Sequence, residues 1–175
     1  DTLENKKTQC LRVWTKGQSN AEYFLVENRQ QTGRDADLPG HGLAVWHIDE
    51  RQADNTNPIA YRVGLVQADG RRDLNLNANR GDATDPYPTA TNTGFTGSTS
   101  PNSNAYSGAA SNVSVTNVAR VGNNVTADIQ VGTGVVAGKQ WYHDRAVTAT
   151  FAHHTTKWAW ANIAGLGWRR VDGSS

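Results

Sequence analysis

Two histidines and two acids fall inside Gly40-His41-Gly42-Leu43-Ala44-Val45-Trp46-His47-Ile48-Asp49-Glu50, and these are the side chains from which hydrolases build zinc centres. Spacing decides against one here. In the zinc-protease pattern His-Glu-x-x-His, one helical turn brings both imidazoles onto one face and the Glu serves as base. His41 and His47 are six apart, with Gly, Val and Trp between them, and such a segment reads as a buried strand. On a strand they share a face but lie ~20 Å apart, too far for one ion. His47 is therefore expected as a buried, hydrogen-bonded histidine.

The stronger chemical signal is Ala68 to Pro88. Asp69, Asp73, Asn75, Asn77, Asn79, Asp82 and Asp85 place seven oxygen side chains in 17 positions, and Asp73-x-Asn75-x-Asn77 repeats an every-second-residue spacing by which loops wrap Ca²⁺. Calcium takes six to eight hard oxygens from flexible loops, backbone carbonyls included. The expected ligand set is Asp69, Asp73, Asn75, Asn77, Asp82 and Asp85, with calcium as the ion. The loop is not an EF-hand, which needs Gly and Glu where Ala78 and Thr84 stand. The competing explanation is a set of Asx turns, in which Asp and Asn bond their own backbone.

The positioning elements read as strands. Leu11 to Trp14, Glu22 to Glu27, Leu43 to Ile48 and Tyr61 to Gln67 alternate or run apolar between breaker-rich turns. Val113 to Val118 and Val125 to Val131 alternate cleanly around Gly122-Asn123-Asn124, as a hairpin with one solvated face does. No long stretch carries a helical period. The fold class predicted is all-β: an antiparallel β-sandwich over residues 1–133 with a long acidic and Asn-rich loop. That loop belongs to Asp69 to Ser111, which holds almost no apolar periodicity and needs something to offset its ordering entropy.

From Gly138 the composition changes. Trp141, Trp158, Trp160 and Trp168 crowd the last 35 residues with His143, His153 and His154, and 138–175 is predicted as a small separate β-module with strands near 147–152, 158–163 and 165–171. Its tryptophans suit a small core, a platform for sugar rings or a protein interface. The candidate ligand-binding residues are Trp141, Trp158, Trp160, Trp168, His143 and His153, the histidines as a metal or acid-base group.

Charge and composition exclude much. A net charge of +1 without runs of like charge gives no reason for a nucleic-acid or acidic-membrane partner. No apolar window approaches roughly 18 residues, the length of a membrane span. One cysteine, Cys10, rules out an internal disulfide framework and a cysteine zinc site. Low charge with many Gly, Asn, Thr and Ser is the texture of extracellular β-proteins. A chain opening on Asp1 and lacking Met reads as a processed piece of something longer.

Glu22-Tyr23-Phe24-Leu25-Val26-Glu27-Asn28-Arg29, Leu38-Pro39-Gly40, Gly42-Leu43 and Trp46-His47-Ile48-Asp49, followed by the acidic loop and Pro101-Asn102-Ser103-Asn104-Ala105-Tyr106-Ser107-Gly108, together resemble the C-terminal part of the immune-inhibitor-A family of metalloproteases. The resemblance runs from about Leu11 to Val131. It implies a secreted, bacterial, calcium-stabilised region beyond a zinc endopeptidase domain, with Glu27, Asn28 and Arg29 as structural polar residues. The chain departs from the family at its catalytic centre: Gly42, Ile48, Asp144, His154 and Thr155 follow the five histidines, never Glu. No catalytic residue is carried over, and zinc is expected only in a catalytic portion outside this chain. The functional expectation is a non-catalytic accessory region serving folding, substrate docking or surface attachment, partnered by that catalytic domain or another copy of the chain. The alternative is an independent carbohydrate-binding or self-assembling extracellular protein that uses the Trp-rich tail, with a glycan as partner.

Overall fold

The computed structural model describes residues 10–132 together with the strands Val147–Phe151, Trp160–Ile163 and Gly167–Arg170. Apart from two short 3₁₀ turns the described regular structure is strand, so the all-β expectation holds. Strands β1 (Cys10–Trp14), β2 (Glu22–Arg29), β3 (Gly42–Asp49) and β4 (Val63–Val66) form one antiparallel sheet in chain order. Strands β5 (Val113–Val121) and β6 (Asn124–Val131) pair as the expected hairpin. The second sheet continues antiparallel through β7 (Val147–Phe151), β8 (Trp160–Ile163) and β9 (Gly167–Arg170). No described helix is long and apolar enough to cross a membrane.

Strand periodicity explains the core. Phe24 pairs with His47, Val26 with Val45 and Asn28 with Leu43, and because successive strand residues point to opposite faces, these six share the inward face. Val13, Phe24, Val26, Leu43 and Val45 pack in one buried cluster with Val113, Val115, Val118, Val125, Ala127 and Ile129 of the hairpin. Asn28 adds a polar tie between the sheets, its Nδ2 donating to the Asn123 carbonyl at the hairpin turn at 2.8 Å. On the opposite face of the first sheet the Glu27 carboxylate accepts from Trp46 Nε1 and Arg29 Nε, both at 2.8 Å.

The long segment between β4 and β5 has no strand of its own, yet it is sewn to both sheets. Tyr87 exchanges backbone hydrogen bonds with Leu43 at 2.8 and 2.9 Å, and Phe95 does so with Val115 at 2.6 and 2.8 Å. Both rings, with Ala68, are part of the buried core. Gly42 makes the first seam possible: a Cβ there would stand 2.2 Å from the Tyr87 carbonyl oxygen, and its φ of +146° disfavours any side chain. Hydrophobic burial thus offsets much of the ordering entropy of the segment.

Candidate functional site

The acidic loop brings four of its six predicted ligands into one electrostatic group. Asp69 Oδ2 and Asp82 Oδ1 lie 2.8 and 2.6 Å from the same Thr84 hydroxyl, which has one proton to share between two carboxylates. Asn79 Nδ2 reaches Asp82 Oδ2 at 3.1 Å and Asp73 Oδ2 at 3.4 Å. Asp85, only 4% exposed, accepts the Asp82 N–H at 2.8 Å, while its own carbonyl accepts from Ala68 N–H. Burial pushes the Asp85 carboxyl above its ordinary range, and the charges of Asp82, Asp69 and Asp73 push it further. Arg71 approaches Asp69 at 3.7 Å from the solvent side. Asp82 is held below its ordinary value by the Thr84 hydroxyl and N–H.

The other two predicted ligands lie apart from this group's hydrogen bonds. Asn75 spends its amide elsewhere, Nδ2 on the Pro58 carbonyl and Oδ1 on Gln67 Nε2. Asn77 is exposed, at a φ of +53°. Among the described residues no group of three or more His, Cys, Asp or Glu is arranged to hold a metal ion. The donors are nonetheless all oxygens or the amides between them, which suits calcium and not zinc.

A second polar cluster forms where the inward face of the first sheet runs out. Glu22 and Asp49 are cross-strand partners two pairs beyond Phe24 and His47, so Glu22, His47 and Asp49 all face the same way. His47 Nε2 lies 3.0 Å from Glu22 Oε1, which also accepts the Tyr106 backbone N–H at 2.7 Å. Arg51 donates to Glu22 Oε2 through Nη2 and to Asp49 Oδ1 through Nε at 2.7 Å. A carboxylate only accepts, so Nε2 carries a proton, and in the neutral ring that burial favours Nδ1 keeps its lone pair. The imidazole is stacked on the Tyr106 ring, centroids 3.9 Å apart and planes 15° from parallel, and leans on Phe24. Burial holds its pKa below the ordinary histidine value, against the opposing pull of Glu22 and Asp49. His47 is thus the buried, hydrogen-bonded histidine expected, and it lines a cavity of about 460 Å³. Its surroundings, Glu22, Arg51 and Tyr106, carry no signal in the sequence pattern. Strand parity puts Glu22 on the face of Phe24 and Val26, and His47 on the face of Leu43 and Val45, but the register that joins the two faces is tertiary.

Of the candidate ligand-binding residues in the tail, Trp141, Trp158, His143 and His153 lie outside the described residues. Trp160 and Trp168 fall on adjacent strands, Trp160 paired with Arg170 and Asn162 with Trp168. No family model, no curated protein and no solved structure matches the chain.

Proposed function

We propose that this chain is the calcium-held, non-catalytic accessory region of a secreted zinc metalloprotease resembling immune inhibitor A, a β-sandwich with a small Trp-rich module after it, serving folding, substrate docking or surface attachment. The observation that carries the reading is the buried Asp85 carboxylate, which accepts the Asp82 N–H while Thr84 and Asn79 tie Asp82 to Asp69 and Asp73. Three like charges gathered around a buried carboxylate repel it, and a divalent cation reverses the sign of that interaction. The segments that carry the family resemblance also lie together: Glu22–Arg29 and Gly42–Asp49 are neighbouring strands, and the acidic loop hangs from the next one. With no His-Glu-x-x-His in the sequence, zinc and peptide hydrolysis belong to the catalytic portion of the same precursor.

Calorimetric titration of the chain with calcium tests this reading, with Asp82→Asn and Asp85→Asn as variants and a casein-cleavage assay on the same sample. Sub-millimolar to millimolar binding lost in both variants, without cleavage, is expected. Absence of calcium binding, or proteolysis by the chain alone, overturns it.

A further inference from the structure

We propose that the cavity beside His47 is a binding site for a neutral polyhydroxylated ligand, a mono- or disaccharide. Its volume of about 460 Å³ lies within the range of small-molecule sites, and its wall is made by His47, Tyr106, Arg72, Asn75, Asn102 and Asn104. None of Asp69, Asp73, Asp82 and Asp85 lines it, and the proposal needs no ion.

Hydrogen-bond accounting selects the ligand class. The His47 side chain is only 9% exposed, Nε2 is committed to Glu22, and no described residue bonds Nδ1, which leaves an unbonded acceptor, still reached by solvent, on a residue of the cavity wall. Asn102 uses its Oδ1 on the Asn104 N–H and nothing described takes its Nδ2, while the Asn104 side-chain amide has no hydrogen bond among the described residues. Arg72 commits one guanidinium nitrogen to the Pro58 carbonyl. The wall therefore offers an acceptor, amides that donate and accept, and spare N–H donors. A hydroxyl group, which donates and accepts, satisfies all of them.

Other classes fit less well. A carboxylate or phosphate only accepts, and would meet the Nδ1 lone pair with the Glu22 and Asp49 carboxylates behind it. A cation would find no carboxylate in the wall. Leu65 and Ile59 add apolar surface for the C–H face of a ring, Ile59 being 74% exposed at the rim. The imidazole is also fixed in advance: Glu22 holds one nitrogen, Tyr106 stacks on its face, and Arg51 and the Tyr106 N–H hold Glu22. Preorganisation of this kind lowers the ordering cost of binding.

The test is long-range ¹H–¹⁵N NMR of the His47 imidazole in the full chain, titrated with galactose, mannose, maltose, cellobiose and diacetylchitobiose, and separately with glucuronate. Expected is a saturable shift of the His47 Nδ1 signal with at least one neutral sugar at millimolar concentration, weakened at least tenfold by Asn102→Leu. Asn102 is exposed and outside the His47–Glu22 pair, and an unchanged imidazole spectrum without sugar shows that the variant is folded; Asn104→Leu serves in its place if it is not. No response at His47 to any sugar overturns the proposal, as does a shift unaffected by both variants or one confined to the Trp-rich tail. A response to glucuronate alone also overturns it and marks an anion site.

Discussion

At the scale of single residues, Glu22 decides the local chemistry of the first sheet. It accepts from His47, from the Tyr106 backbone and from Arg51, so its loss strands a buried ring N–H and a backbone N–H together. Glu22→Ala is expected to cost about 2–3 kcal/mol in urea unfolding, and Glu22→Gln, which keeps an acceptor, about 1 kcal/mol. Arg51→Ala removes a partner that is 61% exposed and should cost under about 1 kcal/mol. Equal losses for all three would show that the cluster is not organised around the carboxylate. Asp85 has the opposite character. Its pKa is raised in the fold, so the native state binds the extra proton more readily than the unfolded chain does. In EDTA, the Asp85 contribution to stability should therefore fall as pH rises from the ordinary Asp value through the raised one, so Asp85→Asn should gain stability relative to the parent chain over that interval. A thermal-unfolding series over pH 3.5 to 6 checks both.

At the scale of elements, the strands were legible and their stitching was not. Val113 to Val118 and Val125 to Val131 alternate in sequence and form β5 and β6, extended to Val121 and begun at Asn124 because the turn between them is tight. The Leu43 to Ile48 run became Gly42–Asp49. Polar periodicity concealed the anchors of the long segment, since Tyr87 and Phe95 are isolated aromatics among Thr, Asn and Gly, and isolated residues leave no period. Similarly, Tyr106 reaches Glu22 across 84 positions, a contact that no local pattern announces. Four of the six predicted ion ligands come together because Asp69, Asp73, Asp82 and Asp85 lie at the two ends of one turn-rich loop. Asn75 is drawn off by Pro58 and Gln67. If the aromatic anchors order this segment, Phe95→Ala should destabilise the chain by about 3–5 kcal/mol, whereas Leu76→Ala, at a residue 67% exposed, should stay within about 0.5 kcal/mol. Chemical denaturation of the two variants gives the comparison, and a small loss for Phe95→Ala would return the ordering of the segment to its polar contacts alone.

At the scale of the whole molecule, two sheets share one apolar core, and the loop between them carries the carboxylate group and sets Tyr106 against the Glu22–His47 cluster of the first sheet. Its near half, from Gln67 to Asn75, contributes to the wall of the His47 cavity. Its far half gathers the carboxylates of Asp82 and Asp85 against Asp69 and Asp73. The core accounts for folding of the sheets, so an ion is asked only to relieve carboxylate repulsion in one loop, and its effect on stability should be moderate. For a dissociation constant of about 0.1–1 mM, typical of extracellular calcium modules, 10 mM calcium adds roughly 1.4–2.7 kcal/mol. That corresponds to a rise in Tm of roughly 3–10 °C for a chain of this size. Thermal unfolding of the 175-residue chain in EDTA and in 10 mM calcium is the most direct test of the central claim. A rise of that size, absent with magnesium at the same concentration and abolished by Asp85→Asn, is the expected result; an unchanged Tm would contradict a calcium-held loop and leave Asp69 to Asp85 as Asx turns pinned by Tyr87 and Phe95.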